Sequence, residues 1–245
     1  MPRHGFCLRS DRLRESSEAV HGTNEIPAFV GDAARAASSK GRVHVGLELP
    51  VGDSRLLATF LSGNGDEGLR DSSLWRGPYQ YGVTSSAMLE LLKRLRDLRR
   101  SGAPLDVFLF DDRIRLGMEG RDQAMAERIS EERRRAPEDI YLILVGNYHA
   151  RNVIGAPWDA QKRWMAHFLA SRERRMITLD VRTRAGSAWV CGTSGPESCG
   201  SGPIGGSLPE GASNNRAVKL EPVPQLGYDG AYAVGTVSAS RPAFP

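Results

Sequence analysis

The sequence predicts an α/β fold: a mostly parallel sheet with helices on both faces, followed by an irregular C-terminal extension rich in Gly, Ser and Pro. Three observations predict it. Short apolar runs, Leu105–Phe110, Ile140–Val145 and Met176–Val181, have the length of buried strands. Helical stretches separate them, and strand–helix alternation is the pattern that covers a parallel sheet on both sides. After Val181 the alternation stops, and residues 192–227 read as one long loop of Gly, Ser and Pro.

The elements follow in order. Residues 1–14 are polar and basic without periodicity, and read as a disordered or misassigned start. The α/β domain is expected over residues 15–190, and residues 191–245 form the extension, with room for one more strand of that domain at Ala231–Val237. Thr23 and Asn24 are candidate caps, and Pro27 suits the first turn of a helix running through Ala37. Arg42–Leu49 alternates: Val43, Val45, Leu47 and Leu49 share one face, His44, Gly46 and Glu48 the other. Thr84–Arg100 carries a stripe of Met88, Leu91, Leu92, Leu95 and Leu98 and ends at Gly102 and Pro104. Arg121–Arg135 predicts a charged helix, and Pro157–Ser171 another with Trp164, Met165, Phe168 and Leu169 inward. Trp158 is assigned to the core with Trp164.

Composition excludes several function classes. At 245 residues and 40% hydrophobic, the chain can build a sizeable core. No apolar run approaches the roughly 20 residues of an integral membrane segment. The formal charge is +4, but acidic residues interleave with the arginines, so the pattern is that of solvated helix faces and not of a nucleic-acid stripe. Cys191 and Cys199, eight residues apart, suit either a local disulfide or two free thiols. Met1–Arg14 does not resemble a signal peptide, so the sequence as written reads as cytoplasmic, and as periplasmic or secreted if its N-terminus is truncated.

Chemistry concentrates in two loops that each bring a histidine close to a glycine: Glu18-Ala19-Val20-His21-Gly22-Thr23-Asn24-Glu25 and Gly146-Asn147-Tyr148-His149-Ala150-Arg151. In an open α/β sheet, ligands gather beyond the carboxyl ends of the strands. Glu48, Asp111 and Asp112 close two of the expected strands there. An unpaired carboxylate in an apolar strand is costly, which points to a role for Glu48. The candidate catalytic set is His21, His149, Glu18 and Glu48, able to take a proton from water. Glu25, Asn147 and Arg151 are candidate substrate-binding residues, and His21, His149, Glu48 and Asp111 candidate metal ligands. Asp112 reads equally as a helix-entry residue.

The two loops resemble motifs of the erythromycin esterase-like, ChaN-like and TraB/Tiki superfamily. Glu18 to Glu25 looks like its Gly-Glu-x-x-His-Gly-Thr-x-Glu motif, Gly146-Asn147-Tyr148-His149 like its second Gly-x-x-His motif, and Arg121-Asp122-Gln123-Ala124-Met125-Ala126 like its Arg-Asp-x-x-Met-Ala segment. The resemblance covers about residues 17–180. It implies a fold and a site more firmly than a reaction, because members are esterases, metal-dependent proteases or haem-binding proteins. The leading expectation is a hydrolase of an ester or amide, acting on a small-molecule or peptide substrate. The alternatives are a haem- or metal-binding protein without turnover, with Tyr148 or His149 as axial ligand to haem, and an inactive member. No cofactor, a divalent metal or haem all remain open, as does the oligomeric state. The sequence departs from the family in two places. Ser17 stands where a glycine belongs, after the polar Ser10–Ser16, and Tyr81 and Val83 flank Gly82 where Asp and Arg are expected.

Overall fold

The computed structural model describes residues 21–245 except 64, 118–119, 157, 174, 193, 209–215 and 224–225. The calls on residues 1–14, on Glu18 and on Ser17 lie outside the described residues. The described chain opens with α1 (Glu25–Ser38), then β1 (Val43–Pro50), α2 (Ser54–Ser62), the single turn α3 (Glu67–Arg70) and α4 (Ser86–Arg100). Next come β2 (Leu105–Asp111), the short α5 (Arg113–Leu116), α6 (Arg121–Arg135) and β3 (Ile140–Leu144). The remainder is β4 (Ile154–Ala156), β5 (Asp159–Arg163), α7 (Met165–Ala170), β6 (Leu179–Cys191), β7 (Cys199–Ile204), β8 (Ala217–Lys219) and β9 (Gly230–Val237).

The fold is α/β. Strands β1, β2 and β3 form a parallel sheet in the order β2-β1-β3. Its two faces follow from the period-two alternation of strands. Val43, Val45, Leu47 and Leu49 pack with Leu105 and Leu109 against Met88, Leu91, Leu92 and Leu95 of α4, and against Ile26 and Ala34 of α1. Gly46 lies opposite Phe108 on one side and Ile143 on the other. Phe108 and Ile143 belong to the second apolar cluster, with Phe110, Met125, Ile129, Met165 and Leu169 from α6 and α7. Each face of the sheet is therefore covered by its own pair of helices. The consequence matters for the site: Glu48, on the same face as Gly46, is buried and not solvated.

The C-terminal part forms a second sheet, in the order β7-β6-β9-β8, in which β6 runs parallel to β9 and antiparallel to β7. Residues 192–227 were expected as one loop, but they contain β7 and β8. Their glycines and serines pair through the backbone, which carries no compositional signal as clear as an apolar stripe. Cys191 and Cys199 face each other in the β6–β7 register and are joined by a disulfide.

The helix expected over Pro157–Ser171 is corrected to a hairpin followed by a short helix. Strand β5 pairs antiparallel with β4, and only Met165–Ala170 coils. The Asp159 carboxylate accepts from the Gln161 N–H, a local turn that competes with helix. The Trp164 indole N–H donates to the Gly155 carbonyl and ties the hairpin down. Trp164 is buried as expected, but Trp158 is 53% exposed and is not core.

Between β3 and the first half of β6 lies a cavity of about 460 Å³, lined by apolar side chains such as Leu142, Val145, Leu179, Val181 and Tyr232. It holds none of His21, Glu48, Arg121 or His149. No helix of the described residues is long and apolar enough to cross a membrane.

Candidate active site

The first loop is built by backbone contact. Gly22 donates no side chain because there is no room: a Cβ there would lie 2.1 Å from the Trp189 carbonyl oxygen. A Cβ on Gly82 would meet the Gly22 nitrogen at 2.5 Å. Two glycines thus let the loop, the turn before α4 and strand β6 pack main chain to main chain. The Gly22 carbonyl accepts from the Trp189 and Ser240 N–H groups, and the His21 carbonyl accepts from the Ser85 hydroxyl. The Ser85 hydroxyl in turn caps α4 by accepting from the Met88 N–H. His21 is fixed by this scaffold, 3% exposed.

The second loop follows β3. Gly146 donates its N–H to Glu48 Oε2 at 2.8 Å, and a single turn of 3₁₀ helix, Asn147–Ala150, presents His149. The structure brings His21, Glu48 and His149 together. His21 Nε2 lies 3.7 Å from Glu48 Oε2, and His149 Nε2 lies 3.6 Å from Glu48 Oε1.

A residue quoted in the sequence only as part of the Arg-Asp-x-x-Met-Ala segment, with no site role, stands at the centre. Arg121, the first residue of α6, donates from Nη2 to Glu48 Oε1 (2.6 Å), from Nε to Asp111 Oδ1 (2.9 Å) and from Nη2 to Asp111 Oδ2 (3.2 Å). Its Nη1 lies 3.1 Å from His149 Nε2. A guanidinium has only donors, so His149 Nε2 accepts there and the ring proton sits on Nδ1. That proton is donated to Asp122 Oδ1 at 2.6 Å. Asp122 also accepts from the Met165 N–H and from Lys162 Nζ at 2.8 Å. Asp122 was likewise quoted only within that segment, and Lys162 was not singled out. The available signal was Arg-Asp at the start of a helix directly after an acidic strand end, where a solvated pair would be equally expected.

The electrostatics follow from burial and neighbours. Desolvation pushes the His21 pKa below its usual 6.5; Glu48 opposes this, while His149 and Arg121 add to it. Burial alone would raise Glu48, but His149, His21, Arg121 and the Gly146 N–H together hold it below the usual carboxylate range. Asp122 is also opposed by burial, yet its bonds to His149 and Lys162 hold it down to about 2. Burial disfavours the charge on Arg121, but Glu48 and Asp111 outweigh it and raise the group further. His21 Nε2 is buried and makes no hydrogen bond among the described residues.

The other candidates sit apart from this cluster. Glu25 accepts from the backbone N–H and hydroxyl of Ser238, at 2.9 and 2.7 Å, and so pins α1 to the end of β9. The Asn147 amide donates to Asp180 and the Val181 carbonyl and accepts from the Val181 N–H, joining the end of β3 to β6. Both faces of that amide are therefore occupied. Arg151 donates to the Leu226 carbonyl and lies over the Tyr148 ring. Asp112 precedes α5 and makes no side-chain cap.

The residues present do not fit a metal ion. The Glu48 and Asp111 oxygens that a cation would need are bonded to Arg121 and the Gly146 N–H. Among the described residues no group of three His, Cys, Asp or Glu is placed to hold one. His149 does not fit a haem either, because both of its ring nitrogens have partners.

No family profile and no curated protein matches the sequence. Solved structures do match. A mutant of erythromycin esterase EreC in its open conformation superposes with a TM-score of 0.66 at 10% identity, covering 92% of this chain and 90% of that one. The chain has the fold of an erythromycin esterase. A succinoglycan biosynthesis protein superposes with a TM-score of 0.59 at 10% identity, and a protein from Bacillus cereus with 0.58 at 11%. Each covers 92% of this chain and 88% of its own. At 10–11% identity these likenesses show the fold alone.

Proposed function

We propose that the protein is a metal-independent ester hydrolase in which His21 is the general base. The observation that carries the reading is the buried His21 Nε2, without a hydrogen-bond partner among the described residues and 3.7 Å from Glu48, at the carboxyl edge of the parallel sheet. Leaving a buried ring nitrogen unsatisfied costs about 1–3 kcal/mol, so its retention suits a group that meets a water or substrate. The depressed pKa keeps it neutral near pH 7, as a base must be.

In this reading His21 Nε2 takes a proton from water as the water oxygen bonds to the ester carbonyl carbon. The carbonyl electron pair moves onto oxygen. Glu48 stabilises the imidazolium that forms. The contacts of Arg121 to Glu48, Asp111 and His149 account for four of its five N–H bonds, and the remaining Nη1 hydrogen can donate to the oxyanion. The tetrahedral intermediate collapses, the bond to the alkoxide breaks, and the alkoxide takes the proton from His21. Water and ester become acid and alcohol. His149, held by Asp122, fixes the guanidinium from the other side. Asn147 is not assigned to the oxyanion, because its amide is committed to β6.

The test is turnover of a simple ester panel by wild type and His21→Ala. The variant is expected to fold and to lose roughly 10²–10⁴ in kcat. Unchanged kcat on an ester that the wild type hydrolyses would remove His21 from the role.

A further inference from the structure

Next to the site is a side chain that the fold does not use. Trp158 stands on the β4–β5 hairpin with half its surface in water. Its ring meets Trp164 edge-on at 6.1 Å and Tyr148 edge-on at 5.7 Å. Trp164 is itself 4% exposed and lies 6.2 Å from the His149 ring. Two successive ring contacts thus link an exposed indole to the catalytic cluster. The same hairpin carries Lys162, which bonds Asp122. Because Trp158 packs against Tyr148 and Trp164, its orientation is set by packing, and about half of a large rigid aromatic side chain is offered to solvent beside the chemistry. Such faces are the usual anchors of bound ligands.

The surroundings select the ligand. Lys162 lies over the Trp164 ring at 5.1 Å and Arg151 over the Tyr148 ring at 5.9 Å. The carboxylate nearest in sequence, Asp159, is turned onto the Gln161 N–H. Cations already occupy the electron-rich faces of the two supporting rings, so a cationic ligand meets repulsion. A flat ring with one apolar face and hydroxyls on its edge gains both the indole and the polar rim.

We propose that Trp158 is the platform for a sugar ring, and that the substrate is an ester of a neutral or acidic saccharide. The proposal rests on the hydrolase reading for the word ester, and on the aromatic cluster alone for the sugar.

The experiment separates the two. Quenching of tryptophan fluorescence is titrated with xylohexaose, hexagalacturonate and the fully deacetylated chitosan hexamer, for wild type, Trp158→Ala, Trp158→Phe and His21→Ala. Expected is binding of the neutral and acidic hexamers at least tenfold tighter than the cationic one. Trp158→Ala should weaken both by at least tenfold, Trp158→Phe by no more than about threefold, and His21→Ala not at all. Tightest binding of the chitosan hexamer overturns the proposal, as does equal binding by wild type and Trp158→Ala, or no quenching in wild type and His21→Ala. Ester turnover measured on the same proteins reads the hydrolase assignment independently: saccharide binding with undiminished turnover in His21→Ala removes the base and keeps the platform.

Discussion

His21 and His149 stand on the two sides of one carboxylate, at nearly equal distances, and are held in opposite ways. His149 has a partner at each ring nitrogen, the Asp122 carboxylate at one and the Arg121 guanidinium at the other. His21 is held by its backbone: its carbonyl and the neighbouring Gly22 are bonded to Ser85, Trp189 and Ser240, while Nε2 has no hydrogen-bond partner among the described residues. The contrast teaches how one residue type is turned to two tasks. A histidine bonded at both ends is a positioned strut. A histidine fixed at its main chain and open at Nε2 is available for a proton.

The largest way to break this contrast is to remove the group both rings face. Glu48→Leu should leave Arg121 with Asp111 as its only carboxylate partner among the described residues, and removing one side of a buried ion pair costs about 3–5 kcal/mol. Urea unfolding reads it, and a loss below about 1 kcal/mol would mean that Asp111 satisfies the guanidinium unaided.

The next test separates the two rings. Asp122→Asn frees His149 but touches nothing on His21. At neutral pH it should cost roughly 2 kcal/mol of stability, from a carboxylate held at about 2 against an ordinary 3.8. A depressed carboxylate contributes stability that is complete above its unfolded pKa and lost as pH falls through its folded one. Wild type should therefore lose that contribution between about pH 4 and pH 2, and the variant should not show this part of the loss. Identical acid unfolding curves for the two proteins would contradict the Asp122–His149 and Asp122–Lys162 pairing.

The finest test sharpens the assignment of the base. The His21 pKa is lowered by burial, so kcat/KM should stay flat down to 6.5 and fall at lower pH as His21 takes up a proton. The stability from its neutral form runs the same way, present above 6.5 and lost as pH falls through the folded pKa. Glu48 is the neighbour that raises His21, so Glu48→Gln should move the acid limb lower still. A limb that moves upward in that variant, or one that stays put, would assign the limb to another group.

Much of this was legible before any coordinates. The apolar runs at Leu105–Phe110 and Ile140–Val145 and the stripe on Thr84–Arg100 fall within one or two residues of β2, β3 and α4, because long periodic segments carry their burial pattern in the sequence. The helix expected over Pro157–Ser171 begins too early and takes in β5, since Trp164, Met165, Phe168 and Leu169 have helical spacing only after the hairpin has ended. Arg121, quoted in a motif, was given no site role for a different reason. In sequence it opens a helix of repeated arginines and glutamates that look solvated. Only the sheet brings Glu48 and Asp111 from neighbouring strands to meet it.

By itself, then, the sequence determined the α/β class, the three strands of the parallel sheet (but not that the run expected at Met176–Val181 enters the second sheet instead, from Leu179), and the two loops where imidazoles stand beside glycines. Those are local matters of periodicity and of backbone freedom. The tertiary structure alone decided that His21 Nε2 is left open while His149 is tied at both nitrogens, that a guanidinium takes the place between the carboxylates, and that Trp158 faces water. Each depends on groups far apart in the chain meeting in a low-dielectric interior. Distance and desolvation set their charges and partners there, and neither is written in the spacing of residues.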